Sequence, residues 1–457
     1  MTDASRSPAH PLGARAHLAA WLGLCAAGAA LLTLAAAGPW IVRTQGYGVL
    51  VPALAVSGLV TFAAMKLAEN LPARSALIVI FGLALAMRLV LVGEAPLLST
   101  DVYRYVWDGR MQGVGINPYL YVPAAPNLEP LRDAAIFPRI NRADYAVTAY
   151  PPLAQMFFFL VTRVGETLTT MRLAMVGCEI VAVALIVDLL RRLDLPVTAV
   201  VAYAWHPLAV WEIANNGHVD ALMVALLMGG VWLLVRLRPL MAAVALALAA
   251  AVKPYALVVL PALWPSLRWR LPLAVIATIL LCYLPYLGAG RGVFGFLATG
   301  YLSEEGLTSG DGIWLVALVR AAFGPVPGLT GIYVSVAAGV MGWFALRIAT
   351  QSEAAPANPH HSIHDIALLL TAGLFFASPN YAWYFLALVP FLAFGAGAPV
   401  WALTLGAFLL YRPVLLPYND LAWKTAATLP FLVALLATRW PRHAAVPGAW
   451  RTPGAGH

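Results

Sequence analysis

Charged and aromatic side chains are concentrated in one short stretch of the sequence, residues 99–110, which reads STDVYRYVWDGR. If the stretch is helical, one face carries Asp101, Arg104, Tyr105 and Asp108 at spacings of three or four residues. Carboxylates beside guanidinium groups suit a site that deprotonates a hydroxyl while neutralising a phosphate. The alternative is an interfacial helix whose acidic and basic side chains pair to stay solvated, with tyrosine and tryptophan as membrane anchors.

Lys253 stands near the middle of the apolar run 239–266 and is followed directly by Pro254. Because proline interrupts a helix, the run is predicted to form two short helices that meet near the outer membrane face. An ammonium group in hydrocarbon costs about 2.5–3.5 kcal/mol unless it has a partner or water, so an anion is expected beside it. The functional interpretation is contact with a phosphate. The alternative is a lysine that snorkels or pairs with a carboxylate for architecture.

Polar side chains also crowd the turn between two apolar runs near residue 216. An ordinary turn needs fewer of them, and sugar hydroxyls would suit such groups, although a simple polar turn is the alternative. Some could bind a metal, but their spacing matches no strong ligand motif, so no metal is expected. The residues of this hairpin tip are Glu212, Asn215, Asn216, His218 and Asp220.

A second aromatic motif, SPNYAWY at residues 378–384, ends one apolar run and begins another. Asn380, Tyr381 and Trp383 are candidate contacts for a sugar or an acceptor. Arg412 is a candidate contact for a phosphate or a lipid headgroup. Tyrosine and tryptophan are also ordinary residues of the interfacial belt of a membrane protein, which is the alternative interpretation of this motif.

The composition describes a membrane protein, because 62% of the 457 residues are hydrophobic and 11% are charged. Apolar runs of roughly 17–25 residues recur without the alternation of barrel strands, so helices are predicted. The formal charge of +8 comes from arginine and lysine clustered in short loops, which indicates membrane orientation and gives no reason to expect a nucleic-acid partner. The cysteines, far apart in apolar runs, are expected to be core residues.

The predicted fold class is an all-α polytopic integral membrane protein with about 12–14 transmembrane helices in one domain, 1–457. Both termini are expected in the cytoplasm, the segments 94–150 and 289–327 outside it, and the linker 351–362 inside. A helix at 151–164 is expected to lie at the outer interface. Around the broken run 239–266, candidate spans lie near 17–37, 49–66, 76–93, 168–190, 196–213, 219–236, 271–288, 328–348, 363–379, 383–396, 399–412 and 421–437.

The long outer segment carries an ordered series of motifs. Asp-Val-Tyr-x-Tyr-x-x-x-Gly occupies 101–109, Gly-Ile-Asn-Pro-Tyr occupies 115–119, and Tyr-Pro-Pro at 150–152 precedes an apolar helix. This series resembles the first extracytoplasmic loop of the GT-C glycosyltransferase superfamily, specifically the polyprenyl-phosphate-mannose-dependent enzymes around glycosyltransferase family 87 and the related bacterial α-mannosyltransferases. The similarity is strongest over about 95–155, and the many-span architecture extends it loosely over most of the rest.

The resemblance implies a lipid-linked sugar donor and an aspartate of the first outer loop as catalytic base. That role falls on Asp101, with Asp108 as a second carboxylate, and it implies inversion because the acceptor hydroxyl attacks the anomeric carbon opposite the phosphate. Arg104 and Arg110 would offset charge on the leaving polyprenyl phosphate. Lys253 would contact the donor phosphate, since similar enzymes often carry a Lys-Pro or Lys-Gly break there.

The sequence therefore predicts a glycosyltransferase that transfers a hexose, expected to be mannose, from a polyprenyl-phosphate donor to a glycolipid or glycan acceptor. The site is expected on the extracytoplasmic face of the plasma (inner) membrane, in contact with membrane lipids and with no cofactor. Sugar or acceptor contacts are expected from Tyr103, Tyr105, Asn117, Tyr119, Tyr150, Asn215, Asn216, His218, Asp220, Asn380, Tyr381 and Trp383.

The main rival is a secondary transporter, or a flippase for lipids or lipid-linked sugars, in which the same buried ions would line a translocation path. A transporter should concentrate its charges near the midplane with repeat symmetry, whereas here they gather at one outer face and in one long loop. A membrane acyltransferase or polysaccharide polymerase would also have large outer loops, but it does not account for the motifs at 101–109 and 115–119.

Overall fold

The computed structural model describes residues 13–350, 359–411 and 420–438. Within these ranges the chain is helical and forms no strand. The α-helices are α1 (Ala14–Gln45), α2 (Tyr47–Ala68), α3 (Ala73–Gly93), α4 (Asp101–Gly113), α5 (Pro152–Val164), α6 (Leu168–Arg192), α7 (Val201–Ala204), α8 (Asp220–Val235), α9 (Pro239–Ala250), α10 (Trp264–Leu267), α11 (Arg270–Tyr283), α12 (Leu302–Glu304), α13 (Trp314–Phe323), α14 (Leu329–Ala349), α15 (Pro359–Ala377), α16 (Val389–Leu392), α17 (Ala398–Gly406) and α18 (Asp420–Thr438).

Tighter and wider helical turns connect several of these helices. The 3-10 segments are Pro126–Leu131, Phe137–Arg139, Val197–Val200, Pro254–Leu263, Leu284–Phe294, Ala382–Leu388 and Ala407–Tyr411. The π-helical segments are Ala209–Asn215 and Leu297–Tyr301. Since π-helical turns are rare and occur frequently at functional sites, these two segments mark positions where a functional site is to be sought.

Seven helices of the described chain are long and apolar enough to cross a membrane, or up to eight if one bent pair counts as a single span. Further apolar helices of 10–17 residues pack among them. On α14 only Ile348 is buried, while Ile332 and Trp343 are exposed, as expected of a helix that faces lipid. The protein is therefore an all-α polytopic membrane protein, as predicted; the count of about 12–14 crossings stays a prediction.

The break at Lys253 is confirmed, since α9 ends at Ala250 and a 3-10 segment begins at Pro254. The segment predicted as a span over 196–213 is bent in the structure, and whether it crosses as one span stays a prediction. Val197–Ala204 and Ala209–Asn215 meet at 57°, because Pro207 offers no backbone N–H at the junction and the Leu208 N–H bonds the His206 ring instead.

Other predicted segments can be compared with the structure. The span near 383–396 is shorter than expected, running over Ala382–Leu392, whereas the one near 399–412 corresponds to Ala398–Tyr411, and both are mostly buried in protein. The segment 289–327 contains helices α12 and α13. Of the linker 351–362, residues 351–358 lie outside the described part of the chain, and α15 begins at Pro359.

A buried ion pair ties α3 to α6. Arg88 contacts Glu179 at 2.6 Å, both side chains are at most 6% exposed, and Arg88 also donates to the Ala204 carbonyl at 2.6 Å. Asp188 and Arg192 form a second pair at 2.6 Å, but this one is about 40% exposed. The two pairs therefore provide a matched comparison of buried and exposed charge.

We expect Glu179→Ala to lower the free energy of unfolding by about 3–5 kcal/mol, because Arg88 is left buried without its carboxylate. Asp188→Ala should cost about 1 kcal/mol or less, since water screens the exposed pair. The measurement is thermal unfolding of both variants in one detergent. Equal shifts in Tm would contradict the buried role of the Arg88–Glu179 pair.

Candidate active site

A cavity of about 810 Å³ lies where the long outer segment meets the ends of several helices. Its walls come from parts of the chain that are far apart in sequence, namely 96–104, 141–151, 253–255, 296–304, 380–384 and 410–411. The volume falls within the roughly 300–1,000 Å³ of typical small-ligand sites. The first outer loop, the lysine break and the second aromatic motif therefore share one site.

Asp101 is the first residue of α4, and it lines the cavity although it is only 6% exposed. Asn141 donates from Nδ2 to Asp101 Oδ1 at 2.6 Å. The other oxygen, Oδ2, faces the His218 ring at 3.9 Å, beyond hydrogen-bond distance. Because the N–H groups of a helix N-terminus and its macrodipole favour a negative charge, this position stabilises an ionised carboxylate.

Arg104 lies one turn after Asp101 on α4 and also lines the cavity. Its Nε contacts Asp108 Oδ1 at 2.7 Å, and its Nη1 donates to the Ala146 carbonyl at 3.1 Å. Gln155 donates to the other Asp108 oxygen at 2.8 Å. Arg104 Nη2 is buried without a hydrogen-bond partner among the described residues. Asp108 thus fixes the orientation of a guanidinium group whose Nη2 amino group forms no hydrogen bond with the described residues.

Lys253 occupies the break between α9 and the 3-10 segment, and it too lines the cavity. Its ammonium group lies 3.1 Å from Asp220 Oδ2. It also lies over the rings of Tyr384 and Tyr150, at 5.2 and 5.8 Å from their centroids. A carboxylate and two aromatic faces on a cation stabilise its charge in an otherwise apolar surrounding.

Arg142 extends from the outer loop into the cavity and has a positive φ of 56°, which is strained for a residue with a side chain. Its guanidinium group contacts Glu304 at 2.5 Å and lies 3.7 Å from Glu305. Burial opposes the charge of Arg142, but the hydrogen bond and charge of Glu304 outweigh it and raise the pKa of Arg142. Arg142 is therefore a permanent cation that connects the first outer loop to the segment 296–305.

Stacked rings form another part of the cavity wall. Tyr381 stacks on Trp383 at 4.4 Å and 8°, and Trp383 stacks on His218 at 4.2 Å and 23°. Tyr384 shares a hydrogen bond with Tyr301 at 2.5 Å, which joins this wall to the π-helical segment Leu297–Tyr301. Aromatic rings with hydroxyl groups at their edge offer both an apolar face and hydrogen bonds to a sugar-sized ligand.

A family model described as alpha-(1->6)-mannopyranosyltransferase, N-terminal domain, of the MptA_B family matches residues 11–268, more than half of the 457 residues. The chain belongs to this mannosyltransferase family. The match confirms the resemblance to GT-C mannosyltransferases of the family 87 type. No curated protein and no solved structure matches the chain.

The matched range of the mannosyltransferase supplies one side of the cavity. Asp101, Arg104, Arg142 and Lys253 all lie within 11–268. The segments 296–304, 380–384 and 410–411 lie beyond it and supply the aromatic wall and Glu304. The site is therefore complete only when both parts of the chain are folded together.

The structure brings some of the predicted residues into the cavity of the mannosyltransferase and leaves others behind it. Those that line it are Asp101, Arg104, Tyr150, Lys253, Asn380, Tyr381 and Trp383. Asn380 reaches it while donating to Glu305 Oε2 at 2.7 Å. These seven keep the roles predicted for them as proposals.

Four residues of the outer loop lie outside the cavity lining and hold the loop in place. Asn117 donates to the Tyr286 carbonyl at 3.2 Å, and the Tyr119 hydroxyl donates to the Tyr150 carbonyl at 2.7 Å. Tyr105 stacks on Phe158 at 4.4 Å, and Tyr103 lies under the guanidinium group of Arg139 at 5.8 Å. The Asn-Pro-Tyr motif thus fastens the loop to neighbouring helices.

The hairpin tip also lies behind the cavity surface. Asn215 accepts a hydrogen bond from the Leu97 N–H at 2.9 Å and donates to the Ala95 carbonyl, while Asn216 accepts from the Leu98 N–H at 3.1 Å. Asp220 contacts Lys253, and His218 contacts Trp383. The two asparagines satisfy the backbone of the segment 95–98, which forms part of the wall.

Arg110 points away from the cavity and pairs with Asp133 at 2.6 Å and Glu166 at 2.8 Å. Burial opposes the charge of Asp133, but hydrogen bonds from the Ile136 N–H and from Arg110 lower its pKa below the ordinary value. Arg412 lies outside the described residues. Of the predicted phosphate contacts, Arg104 and Lys253 are the ones that reach the cavity in the described chain.

Sequence reasoning missed several lining residues. The polar run Arg-Ile-Asn-Arg at 139–142 could have indicated two of them, since it places arginines in the outer loop. The others come from segments whose proximity only the fold reveals. The missed residues are Tyr47, Asn141, Arg142, Tyr145, Tyr301, Glu304, Tyr384 and Tyr411.

Proposed function

We propose that the protein transfers mannose from a polyprenyl-phosphate donor to a hydroxyl of a glycolipid or glycan on the extracytoplasmic side of the plasma membrane, with inversion. Asp101 is the general base in this proposal. The observation that carries it is that the carboxylate of Asp101 and three cations, Arg104, Arg142 and Lys253, line a single cavity, whose other carboxylate, Glu304, is paired with Arg142.

The carboxylate side of this arrangement suits removal of a proton. Asp101 Oδ1 is occupied by the Asn141 amide, which leaves Oδ2 to accept a proton from an incoming hydroxyl. The acceptor oxygen then bonds to the anomeric carbon, the bond from that carbon to the phosphate oxygen breaks, and the electron pair leaves with the phosphate. Attack from the face opposite the phosphate inverts the anomeric centre.

The cationic side suits the phosphate. Arg104 Nη2 has no hydrogen-bond partner among the described residues, so a phosphate oxygen can accept from it without displacing another group. Lys253 adds a second positive charge to the cavity lining. Fixed cations that meet the charge developing on a leaving phosphate lower the barrier to transfer. Arg142 is a third cation, at present paired with Glu304.

The distribution of short basic loops supports the proposed orientation. Basic residues lie at the ends of helices remote from the cavity, namely Lys66 in the last turn of α2, Arg191 and Arg192 at the end of α6, and Arg236 after α8. Since short loops rich in arginine and lysine stay in the cytoplasm, the opposite ends, including the start of α4, belong outside. An extracytoplasmic site has no supply of nucleotide sugars, which favours a lipid-linked donor.

In the test, purified enzyme in proteoliposomes is incubated with membrane lipid extract and one of two donors. The donors are β-linked polyprenyl-phosphate [³H]mannose and a nucleotide-linked [³H]mannose. We expect α-linked mannoside from the lipid donor and none from the nucleotide sugar. Product from the nucleotide sugar would reject the donor class, and a β-linked product would reject inversion. Movement of the lipid donor across the bilayer without any mannoside would favour the flippase.

A further inference from the structure

His218 is fully buried beside the base, yet both of its ring nitrogens lack a hydrogen-bond partner among the described residues. It lies in the turn between the π-helical segment Ala209–Asn215 and α8, and Trp383 stacks on its ring at 4.2 Å. An imidazole that forms no hydrogen bond inside a protein costs free energy, so its retention here requires an explanation.

Acidic groups face both nitrogens of this imidazole. Nδ1 lies 3.9 Å from Asp101 Oδ2, and Nε2 lies 3.4 Å from Glu212 Oε2. Asp220 and Lys253, themselves paired, are the other charged groups that act on the ring. The imidazole therefore stands between the base and a second buried carboxylate, and transfer of a proton requires the ring to approach each of them in turn.

The second carboxylate connects back to the cavity. Glu212 is fully buried and accepts hydrogen bonds from the Tyr411 hydroxyl at 2.8 Å and from Asn216 at 2.9 Å. Tyr411 lines the cavity. The groups Asp101, His218, Glu212 and Tyr411 are thus successive polar neighbours that leave the cavity at the base and return to it at a phenol, with the imidazole not hydrogen-bonded to either carboxylate.

We propose that His218 is a positioning residue that receives from Asp101 the proton taken from the acceptor hydroxyl and passes its Nε2 proton to Glu212. The inference rests on the proposed function, in which Asp101 is the base. The acceptor proton moves to Asp101 Oδ2 and then to His218 Nδ1, after which the proton on Nε2 moves to Glu212, which must be ionised at that moment to receive it. Asp101 is thereby restored as a carboxylate while the product still fills the cavity.

The surroundings of the ring fit this role. Burial lowers the pKa of His218 to about 4, against the opposing effect of the Asp101 and Asp220 charges, so the imidazole is neutral at neutral pH. A neutral imidazole with its hydrogen on Nε2, toward Glu212, presents a lone pair on Nδ1 to Asp101. Stacking on Trp383 covers one face of the ring and leaves the two nitrogens at its edge toward the carboxylates.

The experiment compares His218→Gln, Glu212→Gln and the double variant in the proteoliposome assay with the lipid donor. We expect each single variant to lower kcat by about 10- to 100-fold, less than loss of a base itself, with the donor KM nearly unchanged. The double variant should be no slower than the slower single variant, because groups of one relay act as a unit.

His206 provides the control for removing a buried imidazole. It is also fully buried in the same part of the chain, but its ring bonds Thr404 and the Leu208 N–H. His206→Gln should leave kcat and the donor KM unchanged. The relay would be overturned if the kcat losses of the two single variants multiplied in the double variant. It would also be overturned if the donor KM changed without a change in kcat, or if both single variants kept the wild-type kcat.

Two further readouts separate the possible failures. If thermal unfolding shows that His218→Gln is not folded, the Glu212→Gln variant alone tests the relay. The amide at position 212 can still accept the hydrogen bond from the Tyr411 hydroxyl. A wild-type protein that forms no mannoside from the lipid donor defeats the proposed function. If the wild type is active, Asp101→Asn is inactive and both relay variants keep the wild-type kcat, only the relay is rejected.

Discussion

The Asp101→Asn variant is expected to fold, to bind the lipid-phosphate donor and to form mannoside with a kcat lower by about 10²- to 10⁴-fold. The introduced amide has the size of the carboxylate and can still accept the Asn141 hydrogen bond, so packing at the start of α4 is kept. It cannot take a proton from the acceptor. The measurement is initial rate against donor concentration at saturating acceptor.

Donor affinity gives the second part of this result. Removing a negative charge from a cavity that binds a phosphate should leave the donor KM unchanged or lower it. Asp144→Asn is the control, because Asp144 lies in the same outer loop, is exposed and does not line the cavity. A kcat equal to wild type in Asp101→Asn would reject the assigned base, and a raised donor KM alone would assign Asp101 to binding.

Features set by local sequence were predictable. The break at Lys253 follows from the adjacent Pro254, because a missing N–H interrupts a helix wherever it falls. Once the stretch from Asp101 is helical, the shared face of Arg104 and Asp108 follows from their spacing. The aromatic motif reaches the cavity through Asn380 as expected. In each case a few neighbouring residues carry the information.

The partners of Arg142 show what the sequence does not reveal. Its contact with Glu304 joins segments that are distant along the chain, and no periodicity relates them. Its positive φ also goes against the preference of a residue with a side chain, so the surrounding fold must hold it there. Such a residue becomes visible as a cavity cation only once the outer loop is placed against the segment 296–305.

The hairpin tip shows a different reason why the sequence does not reveal the role of a residue. Asn215 and Asn216 were interpreted as sugar contacts because polar groups between two spans exceed what a turn needs. In the structure they bond the backbone of 95–98, which passes between helices without secondary structure of its own. Where water is scarce, irregular backbone must find partners within the protein, and buried amide side chains are well suited to supply them. Polar excess alone cannot distinguish these two uses.

Substitution of Arg104 is the other change for which we expect a large effect. Arg104→Gln removes the cation whose Nη2 is available to the phosphate, and the donor KM should rise by about 10- to 100-fold, the equivalent of roughly 1.5–3 kcal/mol for a hydrogen bond to a charged group. The same change leaves Asp108 buried without its ion pair, which destabilises the fold. Arg104→Gln combined with Asp108→Asn removes both charges and separates binding from stability.

Arg110→Gln is the matched control, since Arg110 lies on the same helix but pairs with Asp133 and Glu166 outside the cavity lining. Its donor KM should stay within about twofold of wild type, because the pairs it loses are partly exposed. The double variant of Arg104 and Asp108 should regain the Tm of wild type while its donor KM remains high. A donor KM restored together with Tm would show that Arg104 acts through packing of α4, and a raised donor KM in Arg110→Gln would place the phosphate on the opposite face of that helix.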